Sequence, residues 1–308
     1  MGNRNFIFFI LCLLGCVVNA TAQQRPMQSL YMFDPLLINP AYAGNHMQLS
    51  GTAIYRNQWV NFPGAPKTFT GSVHSAFRKT RVGLGIIFGN DQIGVHSDNS
   101  FYLAYSYRLP LNKYNGSYLT MGLQGGFNNL KSNYSILNPK DPDLYGSITK
   151  FNPNFGAGLY YRSKNMFAGV SVPYLVNNKL INAETLSGRA QQYRYYYLTA
   201  GTTRKLSPHL KVMPSVVVRI QEKAPLSFDL NAIWVLYDVV GIGGSYRFGD
   251  SVVGMFELQL NENFHVGYAY DFTMSDIRQY SSGSHEIMIN YRVKIGRVHR
   301  GMECPSYW

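Results

Sequence analysis

Asp271, His285 and Glu286 are the residues whose types could do acid–base chemistry. His285 and Glu286 are adjacent in a segment that reads as a strand, where neighbouring side chains point to opposite faces, so those two cannot act on one substrate. Asp271 and Glu286 fall on neighbouring strands and can share an interior. With His285 as base they would suggest a hydrolase. The competing reading has these carboxylates pairing with Arg219, Arg292 and Arg108 to fill a polar interior. That reading is preferred, because the sequence has no P-loop, no GxSxG elbow and no HExxH. Gly241-Ile242-Gly243-Gly244 lies inside a strand with no helix following to hold a phosphate, so its glycines are read as relief at a bend. The three cysteines are Cys12, Cys16 and Cys304. The first two fall in a leader, so no intramolecular disulfide is expected, and a lone cysteine among scattered histidines lacks the spacing of a zinc site. We therefore expect no catalytic, cofactor-binding or metal-ligating residues and no enzyme.

The elements that would position these groups alternate with period two. In 264–272 one face carries Phe264, Val266, Tyr268, Tyr270 and Phe272, and the other His265, Gly267, Ala269 and Asp271. In 251–260, Val252, Phe256, Leu258 and Leu260 oppose Glu257 and Gln259. In 285–293, Ile287, Ile289, Tyr291 and Val293 oppose Glu286, Asn290 and Arg292. Such alternation marks strands with one apolar and one polar face. About fourteen segments of this kind start near Gln48, Thr68, Val82, Ser100, Tyr118, Asn154, Phe167, Arg194, Lys211, Ser227, Val239, Val252, Phe264 and His285. Each is close to the ~10 residues that cross a bilayer as a tilted strand.

The first 22 residues read as a secretory signal peptide. Arg4 is its positive region, Phe6 to Val18 its 13-residue apolar run and Ala20-Thr21-Ala22 its cleavage site, with cleavage expected between Ala22 and Gln23. Leu13-Leu14-Gly15-Cys16 resembles a lipoprotein box, but the apolar run continues past Cys16. Losing Arg4 lowers the formal charge from +12 to +11. The apolar run is too short for a membrane-spanning helix, which needs roughly 20 residues. Only 14% of residues are charged while 15% are aromatic, with 24 tyrosines, which excludes intrinsic disorder. Lys and Arg are scattered with no run of five or six. Nucleic acid is therefore not an expected partner, and anionic lipid and lipopolysaccharide phosphates are.

The connections choose the architecture. Those after even-numbered strands are mostly tight: 78–80, 163–165, 206–208, 237–238 and 261–263. Those after odd-numbered strands are often long: 60–67, 129–153, 175–192 and 273–283. This asymmetry is that of an outer-membrane β-barrel whose short turns face the periplasm. A soluble β-sandwich would also alternate. However, aromatics crowd the strand ends (Tyr55, Trp59, Phe77, Tyr107, Tyr118, Tyr174, Trp234, Tyr237, Tyr246, Phe248) as interfacial girdles do, and a closed barrel leaves no edge strand. The expected fold is all-β, a transmembrane barrel of about 14 antiparallel strands in the outer membrane of a Gram-negative bacterium.

Residues 28–44, QSLYMFDPLLINPAYAG, resemble the opening of the PorP/SprF family of outer-membrane proteins of the type IX secretion system. Trp59 with Pro63-Gly64-Ala65-Pro66-Lys67-Thr68, then Gly83-Leu84-Gly85 leading to Asp91-Gln92-Ile93-Gly94, and finally Gly283 to Met288 follow in order. Asp34 stands where the family pattern leads one to expect Asn. The resemblance implies a non-enzymatic barrel that supports secretion or surface attachment of a cargo protein such as a gliding adhesin. The alternative is a diffusion channel or solute transporter.

The expected division is 1–22 signal peptide, 23–47 periplasmic N-terminal segment, 48–293 barrel and 294–308 periplasmic tail. Pro26, Pro35 and Pro40 forbid a regular helix in the N-terminal segment. Its apolar residues still need cover, so it is expected to plug the periplasmic mouth from within or beneath through Tyr31, Phe33, Leu36, Leu37 and Tyr42. Tyr307 and Trp308 of the tail are candidates to dock a periplasmic type IX component. Trp59, Phe62, Pro63, Pro66, Leu175 and Ile181 are candidates to meet the cargo on the outward face.

Overall fold

A computed structural model describes residues 28–46, 48–77, 80–112, 116–134, 147–178, 193–222 and 224–293. The expected signal cleavage at Ala22 and Gln23, the loop residue Ile181 and the tail with Tyr307 and Trp308 lie outside these residues. The strands begin with β1 (Leu49–Asn57), β2 (Lys67–Ala76), β3 (Val82–Ile93), β4 (His96–Asn112) and β5 (Ser117–Asn133). They continue with β6 (Ser147–Arg162), β7 (Met166–Val172), β8 (Tyr195–Thr202), β9 (Arg204–Ser207) and β10 (Leu210–Gln221). The last five are β11 (Ser227–Leu236), β12 (Val240–Arg247), β13 (Ser251–Gln259), β14 (Phe264–Thr273) and β15 (Ser284–Val293).

Every neighbouring pair is antiparallel, and β1 pairs with β15 from Leu49↔Val293 to Asn57↔His285, which closes the sheet on itself. β8 and β9 are two pieces of one strand broken at Thr203, and both pair with β10. The wall is therefore a closed barrel of fourteen strands. Tight turns form where the chain allows a left-handed backbone. Tyr237 and Asp238 both have positive φ, 53° and 56°, between β11 and β12, the conformation whose twist matches a two-residue hairpin.

The distribution of side chains is inverted relative to a water-soluble protein. Leu123 on β5 is 62% exposed on the outer face, whereas Glu286 on β15 is 0% exposed inside. Apolar residues out and charged residues in is the pattern a bilayer imposes on a barrel.

Three departures from the sequence reading have local causes. β4, β5 and β6 run for 17, 17 and 16 residues. Strands therefore begin at His96 and Ser147 rather than near Ser100 and Asn154, and they rise beyond the ~10 residues a bilayer needs. Much of the expected loop 129–153 is thus strand. β7 stops at Val172, because Pro173 has no N–H to donate, and the chain turns inward there. Tyr174 therefore does not join the outer aromatic girdle: its ring packs edge-on against the buried Tyr102, centroids 5.3 Å apart.

Candidate functional site: the filled lumen and the long-loop rim

Residues 28–46 lie inside the barrel. Three single-turn 3-10 helices, Tyr31–Phe33, Pro35–Leu37 and Pro40–Tyr42, carry the chain past its prolines. Leu30, Tyr31, Met32, Phe33, Leu36, Ala41 and Tyr42 are buried with inward residues of the wall, including Ile54, Tyr160, Ile233 and Met288.

The segment ties opposite walls together. Tyr31 Oη accepts a 2.8 Å bond from Asn231 Nδ2 on β11. Asp34 accepts one of 2.6 Å from Ser72 Oγ on β2, six strands away in a ring of fourteen. Ser171 Oγ on β7 donates to the Ile38 carbonyl at 2.6 Å.

At the long-loop end the segment is held by charge. Glu286 accepts the backbone N–H groups of Ser29 and Leu30, both at 2.8 Å. Ser29 Oγ donates to Asp271 at 2.8 Å. Arg56 lies between the two carboxylates, with Nη2 2.6 Å from Asp271 Oδ2 and Nη1 2.8 Å from Glu286 Oε2. The chain of charges continues along the wall. Arg247 lies 3.7 Å from Asp271 and 3.3 Å from Asp229, and Asp229 takes Arg219 at 2.5 Å. All six groups are buried, and buried charges persist only when paired in this way.

At the short-turn end the segment is held by backbone accounting. Ser106 donates to the Ala43 carbonyl at 2.6 Å, Arg108 to Gly44 at 2.7 Å and Arg162 to Asn45 at 3.0 Å. Asn39 accepts from its own Ala41 N–H at 2.9 Å and donates to the Leu159 carbonyl at 3.0 Å. The wall makes room with glycine: a Cβ on Gly122 of β5 would sit 2.2 Å from Ala41 N, and one on Gly83 of β3 2.3 Å from Ala43 O. The Asn39-to-Gly44 block thus fits a groove that only residues without a side chain can form. On this segment, away from the membrane-spanning strands, burial pushes the Asp34 carboxyl up to about 6, against the Ser72 hydroxyl and Leu36 amide that pull it down.

Asp271 and Glu286 do share the lumen. Their partner is Arg56 rather than Arg292 or Arg108, and Arg219 pairs with Asp229 instead. His285 faces outward, its Nδ1 2.7 Å from Tyr268 Oη, so the three groups do not converge. The sequence reading missed Arg56, Ser29 and Asn39. Period-two alternation does place Arg56 on the inner face of β1, but nothing local identifies its partners.

At the rim, residues 58–66 pair with the β14–β15 connection: Val60 N–H donates to the Gly283 carbonyl at 2.9 Å and Ser282 N–H to the Val60 carbonyl at 3.0 Å. Trp59 and Asn61 have positive φ, 49° and 74°. Phe62 and Pro63 are exposed, Trp59 is half-buried and Pro66 is buried, so the Pro66 ring is not presented to a partner. A depression of about 390 Å³ beside them is lined by Asn57, Phe62, Lys67 and Gln92 among others. Leu175 is exposed where the chain crosses inward, and the adjacent Val176 is held through its N–H and carbonyl by the Asn154 side chain.

Residues 20–291 match the family described as "Type IX secretion system membrane protein PorP/SprF". The chain belongs to this family. No curated protein matches it. Among solved structures, the monoaromatic hydrocarbon channel CymD is 11% identical, with 89% of this chain and 94% of that one covered and a TM-score of 0.50. The Acinetobacter baumannii outer membrane protein Omp33 is 9% identical over 80% and 98%, with a TM-score of 0.46. At such identities the likeness speaks for the fold alone. As a PorP/SprF barrel the protein resides in the outer membrane.

Proposed function

We propose that this PorP/SprF barrel is a non-enzymatic component of the type IX system whose long-loop end faces outward and holds a cognate secreted protein, such as a gliding adhesin, for secretion or surface attachment. The observation that carries the reading is the lumen: residues 28–46 cross it and bond to opposite walls. A lumen occupied in this way supports a scaffold over a diffusion channel. The rim then supplies the contact surface. Phe62 and Leu175 are exposed there beside polar residues, as apolar groups are at protein-binding sites. Within the same reading the tail residues Tyr307 and Trp308 serve a periplasmic type IX component.

Replacing Phe62, Leu175 and Val176 with Ser tests the outward surface. Outer-membrane level and heat-modifiable gel migration should persist, and surface display of the cognate protein should fall. Display that persists on an intact barrel would place the contact elsewhere.

A further inference from the structure

The lipid-facing side of the wall changes character at the long-loop end. On β1 to β5 the last large apolar residue turned outward within the strand is an exposed aromatic: Tyr55, Phe69, Phe88, Phe101 and Phe127. The next outward residue on each strand is, in the same order, Asn57, Lys67, Asn90, Asn99 and Asn129. Aromatics followed by amides and a cation mark where the hydrocarbon ends and the headgroups begin. The depression of about 390 Å³ lies on this boundary. Its base is the outward row Asn57, Lys67 and Gln92, which face one another in register on β1, β2 and β3. Asn57 and Lys67 stand one outward step, ~7 Å along the strand, beyond Tyr55 and Phe69.

The other wall of the depression is the 58–66 connection, which contributes Asn61, Phe62 and Ala65 and is pinned on three sides. Gln58 N–H donates to the Pro66 carbonyl at 3.0 Å, Val60 pairs with Gly283, and Gly94 N–H of the β3–β4 turn donates to the Gly64 carbonyl at 3.0 Å. The site is therefore formed before a ligand arrives, which spares the ordering that a loose loop would need. Its charge is of one sign. Asp91, next to Gln92, faces inward and accepts the Thr68 hydroxyl at 2.7 Å, and among the described residues no carboxylate pairs with Lys67. We propose that this depression binds the phosphate-bearing headgroup of an anionic lipid of the outer leaflet, with the Lys67 ammonium on the phosphate and the Asn57 and Gln92 amides donating to the oxygens around it. Lysine holds phosphate as a point charge, and a cation at this height gains from anionic headgroups. A headgroup seated there ties the 58–66 loop to the membrane plane and fixes the height at which the rim stands. The inference needs the barrel to lie in the outer membrane, but not the cargo reading of Phe62.

Native mass spectrometry of the purified full-length protein in a neutral detergent tests this, with three probes: lipid A carrying its phosphates, the same lipid dephosphorylated, and inorganic phosphate. The wild type is compared with Lys67→Gln, Lys67→Arg and Lys131→Gln, each checked for heat-modifiable migration. Lys131 is exposed on the outer face of β5 beyond Phe127 and outside the depression, so it reports diffuse attraction near the headgroups. The proposal expects phosphorylated lipid A to bind the wild type and Lys67→Arg alike. Its apparent affinity should fall about fivefold or more in Lys67→Gln and change little in Lys131→Gln. The dephosphorylated lipid should bind the wild type no better than phosphorylated lipid A binds Lys67→Gln. Equal losses in Lys67→Gln and Lys131→Gln would reduce the site to diffuse surface charge and overturn the proposal, as would unchanged binding in Lys67→Gln. Displacement of the lipid by inorganic phosphate at equal concentration would also overturn it, because the site would then take a free anion. Surface display of the cognate protein is scored separately with Phe62 intact, so a failure here leaves the cargo reading standing.

Discussion

Arg56 is the residue on which the charged end of the lumen depends. It is 2% exposed and bonds two carboxylates exposed 2% and 0%. Removing one member of a buried ion pair leaves an uncompensated charge and costs about 3–5 kcal/mol. Arg56→Met should therefore lower the temperature at which the folded band disappears on gels, and adding Asp271→Asn and Glu286→Gln should recover much of the loss. A smaller effect is expected at Asp34. Its carboxyl titrates near 6 in the folded protein against an ordinary value of 3.8. The folded state thus prefers the protonated form, and the stability present below pH ~4 is lost as pH rises through about 6. Asp34→Asn removes that loss. The variant should gain on the wild type across this window and exceed it by about 1–3 kcal/mol at neutral pH, read as urea midpoints at several pH values; parallel curves would reject the account. Asp271 and Glu286 were legible as lumen residues because alternation alone sets their face. The role of Arg56 was not, because its neighbour Glu286 lies 230 residues away and meets it only where β1 closes on β15.

Most of the wall could be read from the sequence, since period two and turn chemistry are local properties. Val82, Ser227 and Phe264 begin their strands as expected. The misses at His96 and Ser147 arise because β4 begins polar on both faces, as His96-Ser97-Asp98-Asn99-Ser100, and β6 begins with Ile148 and Phe151 on opposite faces among polar residues, so alternation fades while backbone pairing continues. The inner segment is the opposite case. Its apolar residues and prolines announce an irregular, covered element, but not how far into the lumen it reaches. That depends on the inward glycines of β3 and β5, which act only once the barrel has formed. Gly122→Val should therefore push Ala41 out of its groove and expose 28–46 to limited proteolysis while the wall keeps its heat-modifiable migration. Gly254→Ala, where a Cβ meets nothing within 4 Å, should change neither. Equal protease resistance in the two variants would show that the groove does not hold the segment.

At the scale of the whole molecule the fold and the family membership agree on an outer-membrane barrel of the type IX system, and the filled lumen is the observation on which the proposed scaffold, as against a pore, rests. An open barrel of this strand number passes ions; the proposed scaffold, crossed from wall to wall by its own chain, is expected not to. The direct measurement is single-channel recording of the purified full-length protein in planar bilayers, beside an open porin of similar strand number and beside the Gly122→Val variant. The account predicts a silent wild type, steps from the open porin, and current from the variant once Ala41 has left its groove. Sustained conductance from the unaltered protein would contradict it.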